Sequence, residues 1–451
     1  MASVKKKILA NLGANTFGKG LSVCVQIASV PILLQRWGTG LYGEWVILSA
    51  IPLYLGMSDI GFGNVAGNEM TMLVAAGKRE EALGVFQSTS LLITSISILV
   101  GAIFVAMIWF LPLESWLQIH DLSSHDIRIV LIILGFSSLL ALQEGLFHGS
   151  FRCVGKYALG TVAKSVIQLG TFAGLVTAVL LGANLVQTSV VIALINAVGT
   201  LVLWRLLRRQ IEWVRYGTQY AHLSTLRRLF WPAVSFMSFP ISNILTLQGI
   251  LIVVGHMFGP VGVVTFSTAR TISRSVLQAL QLINASVWPE VSAAFGAGSL
   301  ALVRRLHRTS CQVSILVCAG TTMLVAVFGN AVWKIWILGK IQTDPVLLYF
   351  LLLQMFIGSL WFTSLVVPAA TNNHRQVAKV VLGASVMSLV LSYPLMKIDI
   401  LGLRGAAIAL VLGDILIALF VFKTSLRLVE DTVPNFFRSL LEVPALPFRP
   451  K

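Results

Sequence analysis

Charge is what this sequence has least of. Only 11% of its 451 residues are Asp, Glu, Lys or Arg, where soluble domains carry roughly 25%. That scarcity excludes a water-soluble globule. Cysteine is sparse too: Cys24, Cys153, Cys311 and Cys318 show no CxxC spacing, so neither a disulfide framework nor a zinc ribbon is written here. The histidines are scattered and form no metal-ligand cluster. The polar segments between the apolar runs are too short to fold as soluble domains, which leaves an ATP-binding or catalytic domain nowhere to sit within this stretch of chain.

What the sequence does have is apolar length. Hydrophobic residues make up 57% of it, in runs near 8–34, 42–66, 83–111, 127–149, 158–181, 186–207, 229–255, 260–285, 309–332, 346–370, 377–396 and 403–426. Each approaches or exceeds the ~20 residues that span a bilayer. The predicted fold is an all-α polytopic membrane protein of about twelve transmembrane helices. A basic stretch read from Trp204, WRLLRRQIEWVRYGTQYAHLSTLRRLF, divides them six and six. The predicted organisation is an N-terminal lobe over 1–207, a cytoplasmic linker over 208–228, a C-terminal lobe over 229–427 and a cytoplasmic tail over 428–451. Two six-helix bundles of one orientation imply an internal repeat with pseudo-two-fold symmetry. At an offset of about 221 residues, Gly38 meets Gly259, Ile51 meets Ile272, Glu69 meets Glu290, and Ala76-Gly77 meets Ala297-Gly298.

The net charge of +16 is not a nucleic-acid signal. With both termini in the cytoplasm, about 23 of the 33 Lys and Arg fall in cytoplasmic segments, and the external loop 112–126 carries Glu114, Asp121 and Asp126. This is the positive-inside pattern of a membrane protein. Lys5-Lys6-Lys7 before an apolar run has the look of a signal peptide, but the run is too long and carries Asn15, Lys19 and Gln26. It reads as an uncleaved first helix.

Polar residues inside the runs recur at steps of three or four, hence on single helix faces. Helix 1 carries Asn11, Asn15, Lys19, Ser22 and Gln26; helix 7 carries Ser235, Ser238, Ser242 and Thr246; helix 8 carries Ser267, Arg270, Arg274, Gln278 and Gln281. Ser and Thr at such positions also serve simply as glue between helices. Mid-helix charge is costly and points to function. Arg270 and Arg274, one turn apart, can offer two guanidinium forks to a phosphate or pyrophosphate. At the repeat offset the first half has Ser49 and Leu53 in their places, and Leu280 answers Asp59. The intramembrane carboxylates Asp59, Glu144 and Asp414 are candidates for charge pairing or ion coupling, with Lys19 a partner for Asp59. Two glycine motifs are decoys. Gly13–Gly20 lacks the Ser/Thr that follows a P-loop lysine, and Gly61-Phe-Gly63 follows no strand. Gly61 and Gly63 instead weaken the helix beside Asp59, a candidate hinge.

The pattern Asn15, Gln26, Pro31-Ile-Leu-Leu, then Trp37-Gly38, Tyr42-Gly43-Glu44-Trp45 and Asp59-Ile-Gly61-x-Gly63-Asn64 with Asn68 resembles the polysaccharide-repeat flippases. These are the O-antigen (Wzx-type) exporters of the MOP superfamily, which also holds the MATE drug exporters and lipid II flippases. The resemblance extends through the helix count over nearly the whole chain. It implies a bacterial inner-membrane transporter, active in lipopolysaccharide and polysaccharide biosynthesis, that moves an undecaprenyl-pyrophosphate-linked sugar repeat to the outer leaflet. It implies alternating access driven by an H+ or Na+ gradient without a further cofactor, and a cationic cavity built from helices 1, 2, 7 and 8. Substrate contacts would then fall on Lys19, Arg270, Arg274, Asn15, Gln26 and Gln278. Partners would be the lipid-linked anionic glycan, membrane lipids, and the polymerase and chain-length machinery. Within the same fold a MATE-like drug antiporter is the alternative, although such a cavity calls for acidic residues. A membrane-embedded polymerase or glycosyltransferase calls for a larger loop with paired catalytic groups.

Overall fold

The computed structural model describes residues 2–56, 58–111, 122–336 and 344–441. Glu114 and Asp121 of the predicted external loop, and the tail beyond 441, lie outside them. The described residues are helices joined by short turns, the arrangement that lets a chain satisfy its backbone hydrogen bonds without water. Ten of these helices are long and apolar enough to cross a membrane, and the molecule is a multi-pass membrane protein.

Two compact units emerge. The first is Leu9–Ala233; the second joins Met1–Ile8 to Val234–Lys451. Helix α1 (Ala2–Leu55) is broken at Gly38, and α2 (Phe62–Ala75), α3 (Arg79–Phe110), α4 (Ser124–Cys153), α5 (Tyr157–Leu180) and α6 (Leu185–Gln210) follow it. Next come α7 (Leu223–Phe236), α8 (Ser238–Ile244), a π turn over Leu245–Gly249, and α9 (Ile250–Gly296), which is broken at Gly259. The remaining helices are α10 (Leu300–Trp336), α11 (Pro345–Ser364), α12 (Val366–Ala370), α13 (Arg375–Met396), α14 (Arg404–Leu428) and the amphipathic α15 (Val433–Leu441).

The repeat is visible in backbone geometry. Gly38 (φ 72°, ψ −178°) and Gly259 (φ 64°, ψ −167°) turn the chain between the first two spans of each half, in a region L side chains disfavour. The second spans end alike. Lys78 N–H donates to Leu73 O (2.8 Å) and Gly77 N–H to Val74 O (3.1 Å); Ser299 N–H donates to Ala294 O (2.9 Å) and Gly298 N–H to Phe295 O (3.0 Å). Both are Schellman closures, matched bond for bond at the offset of 221.

The ends of the two halves are also docked alike. After α6 the chain over 211–222 folds onto α3: Gln87 accepts from Tyr220 N–H (2.8 Å) and donates to Arg215 O (3.2 Å), and Ser88 accepts from His222 N–H (3.0 Å). The predicted linker is therefore packed structure of the first unit. After α14 the chain docks on α10 through Arg308, the repeat counterpart of Gln87. Its guanidinium donates to both oxygens of Asp431 (2.7 and 2.6 Å). Burial pushes the Asp431 carboxyl up, but these hydrogen bonds, with Thr432 N–H, outweigh it and hold the group below the usual carboxylate range.

The unit boundary adds one more correspondence. Glu69, closing α2, pairs with Arg228 at the start of α7 (3.2 Å). Its counterpart Glu290 lies in the field of Lys7 at the start of α1, and Lys7 is the counterpart of Arg228.

Candidate functional site

Each unit holds a polar cavity. In the second unit, a cavity of about 320 Å³ is lined by α8, the π turn, α9, α11, α13 and α14. Pro240 in α8 cannot donate to the helix ladder, and one turn later Leu245–Gly249 widens into the π form. Such a turn leaves carbonyls without their usual partners. Arg270 supplies them: it donates to Thr246 O (3.1 Å) and Leu247 O (2.8 Å), lies over the Phe266 ring (5.3 Å) and is 7% exposed. Arg274, one turn on and half-buried, lines the cavity and makes no hydrogen bond or ion pair among the described residues. Across the space, buried Asp414 accepts from Trp361 Nε1 (3.1 Å) and from Gln354 Nε2. Gln354 Oε1 and Ser242 Oγ are buried and have no hydrogen-bond partner among the described residues. The cavity thus has two cations, one carboxylate and spare polar capacity.

The first unit's cavity, about 460 Å³, has a different lining that includes Tyr42, Trp45, Glu144, Lys164, Gln168 and Asn196. Buried Glu144 accepts the Thr200 hydroxyl (2.6 Å). Asn196 is fixed at both ends: Thr171 donates to its Oδ1 (2.7 Å) and its Nδ2 donates to Ser137 (2.8 Å).

Other predicted residues fall elsewhere. The Asp59–Lys19 pair does not form among the described residues. Asp59 sits in a turn at 58–61 and accepts the N–H groups of Gly61 and Gly63 (3.0 Å each), so its charge is met by the first turn of α2. The turn is strained at Ile60 (φ 51°) and passes through Gly61 (φ 79°). A Cβ on Gly63 would meet Asp59 Oδ2 at 2.9 Å. The predicted break beside Asp59 is real. Lys19 is exposed and has no partner among the described residues. Asn15 Oδ1 accepts from Tyr157 OH (3.1 Å), which makes it a helix-to-helix tie. Gln26 and Gln278 are exposed. Gln278 does not line the second cavity; Gln281, continuing the 270–274–277 face, does. Sequence reasoning missed Gln354 and Trp361, which are scattered polar groups in a mostly apolar helix. Lys164 and Gln168, one turn apart on one helix face, both line the first cavity.

No protein-family model and no curated protein sequence matches the chain. Solved structures do. The chain is similar to a MATE protein in its bent conformation (14% identity, 97% of each chain covered, TM-score 0.77). It is also similar to an outward-facing multidrug resistance MATE family transporter of the MOP superfamily (15% identity, 95% of this chain and 96% of that chain, TM-score 0.74). A third is a MOP superfamily transporter from Pyrococcus furiosus, described as having a binding pocket of reversed polarity (14% identity, 95% and 97% covered, TM-score 0.73). At these identities the likeness is one of fold, and the fold of this chain is that of the MATE transporters, with about twelve transmembrane helices.

Proposed function

We propose that this protein is a transporter that flips an undecaprenyl-pyrophosphate-linked oligosaccharide repeat unit across the bacterial inner membrane by ion-gradient-driven alternating access. The observation that carries the reading is Arg274, a cation lining a polar cavity with no protein partner, one turn from Arg270. A desolvated guanidinium without a carboxylate is costly, and a pyrophosphate would relieve that cost through bidentate hydrogen bonds. The division of labour on α9 follows: Arg270 braces the π turn, and Arg274 meets the anion. Asp414 in the same cavity is the candidate for the coupling ion, H+ or Na+. The fold supports transport as the activity, and the reversed-polarity pocket of the Pyrococcus furiosus protein is a precedent for a changed charge on this scaffold.

The test is translocation of a fluorescent polyprenyl-pyrophosphate-linked glycan in proteoliposomes. Transport is expected for the native protein and lost for Arg274→Ala, with normal insertion. Undiminished transport by the Arg270→Ala, Arg274→Ala double variant would remove the anion site.

A second reading, MATE-like export of a small molecule, is favoured by the fold and by Asp414, an acid where a cationic drug would need one. It predicts proton-driven uptake of a cationic dye that Asp414→Asn abolishes.

A further inference from the structure

The first unit's cavity has no role in the anion reading, and its chemistry differs in kind from that of the second. Glu144 is 7% exposed, yet among the described residues only the Thr200 hydroxyl is hydrogen-bonded to it (2.6 Å), while a carboxylate can accept about four such bonds. Lys164 lines the same space, with no ion pair to Glu144 and no hydrogen bond among the described residues. Two opposite charges therefore face one cavity without meeting. An anionic ligand would be repelled by Glu144 and a cationic one by Lys164. A purely apolar ligand would strip water from both. A neutral molecule rich in hydroxyl groups suits both, donating to the carboxylate and accepting from the ammonium.

The remaining wall supports this choice. Tyr42 and Trp45 line the cavity, and Trp45 is held edge-on against Trp37 (centroids 5.6 Å apart, planes at 61°). A rigid aromatic surface beside a few fixed polar groups suits a ring with one apolar C–H face and a polar rim. Asn196, tied at both ends of its amide, keeps the polar side preorganised. The volume of about 460 Å³ is within the ~300–1,000 Å³ of small-ligand sites.

We propose that the first unit's cavity is a carbohydrate site, seating neutral sugar of the lipid-linked glycan between Glu144 and Lys164 against Trp45. The identification of the sugar as part of the transported lipid rests on the flippase reading.

The experiment uses the full chain in nanodiscs, with two probes measured by tryptophan fluorescence and native mass spectrometry. One is a panel of free sugars (glucose, galactose, mannose, rhamnose, N-acetylglucosamine and chitobiose); the other is polyprenyl pyrophosphate with no sugar. At least one sugar should bind saturably, and Glu144→Gln and Lys164→Gln should each weaken it about tenfold or more. Both variants should bind bare polyprenyl pyrophosphate as the native protein does. Glu144→Gln keeps an acceptor for Thr200, and Lys164 is exposed, so both variants can fold. Failure of every sugar, or equal binding by native and variant proteins, overturns the site. If bare polyprenyl pyrophosphate still binds in an Arg274-dependent way, that failure leaves the flippase reading intact. If neither probe binds, both proposals fall.

Discussion

The two halves of this molecule share a backbone plan and differ where one of them departs from a regular helix. In the first half the opening span runs unbroken from Ala2 to Gly38, and the second span breaks at 58–61. In the second half the opening span breaks at Met237 and widens at 245–249, and the second runs on from Gly259 to Gly296. Each irregularity has its own side-chain brace. Asp59 holds the turn of the first half; its counterpart Leu280 is fully buried in the second unit's apolar core. Arg270 holds the π turn of the second half; its counterpart Ser49 returns a hydroxyl to Val46 O (3.2 Å). The lesson is that a repeat keeps its turns at fixed glycines and differentiates by moving one polar brace per half.

Breaking the comparison at its strongest point means removing Arg270. Arg270→Ala leaves two carbonyls without donors, and the loss should be about 2–4 kcal/mol, read as a lower melting temperature in detergent. Ser49→Ala should change little. Equal effects would mean that the π turn does not need its brace.

The glycine hinges should respond equally. No atom lies within 4 Å of a Cβ built at Gly38 or Gly259, so Gly38→Ala and Gly259→Ala each carry only the backbone penalty of about 1–3 kcal/mol. Melting curves that separate the two variants would show that the halves use these turns differently.

Asp59→Ala removes an acceptor at a helix N-terminus and should cost about 1 kcal/mol, with Asp59→Asn recovering part of it. A loss of transport by Asp59→Asn without loss of stability would assign a coupling role to this residue.

The docked ends differ in acid sensitivity. Because Asp431 is held below its ordinary range of about 4, its contribution is complete above that pH and is lost as pH falls through its lowered value. A fluorophore attached near Leu441 should gain mobility on acidification, and one near Tyr220, held by the Gln87 amide, should not.

The smallest effect concerns the charged ends of the second spans. Glu69 pairs with Arg228 at 3.2 Å with the arginine side chain 52% exposed, so Glu69→Gln should cost at most about 1 kcal/mol. Glu290→Gln should cost less, since no ion pair within 4.0 Å joins Glu290 to Lys7 among the described residues. A charge swap, Glu69→Arg with Arg228→Glu, should recover the loss.

By itself the sequence determined the membrane class, the approximate spans and the pairing of Gly38 with Gly259. Hydrophobic length and the φ demands of glycine are local properties, readable from a few neighbouring residues. It also pointed to the face of Arg270 and Arg274, because helical periodicity is local too. Tertiary structure decided what each charge does. The sequence offered Lys19 to Asp59, and the fold gave Asp59 the amides of its own turn. Arg270 was legible as a cation and not as a brace, because its acceptors are carbonyls 23 and 24 residues away on a helix that had first to open. Gln354, Trp361 and Asp414 meet across more than fifty residues of sequence, as Glu144 and Thr200 do. A buried polar group takes whatever partner packing brings within 3 Å, and no local pattern carries that information.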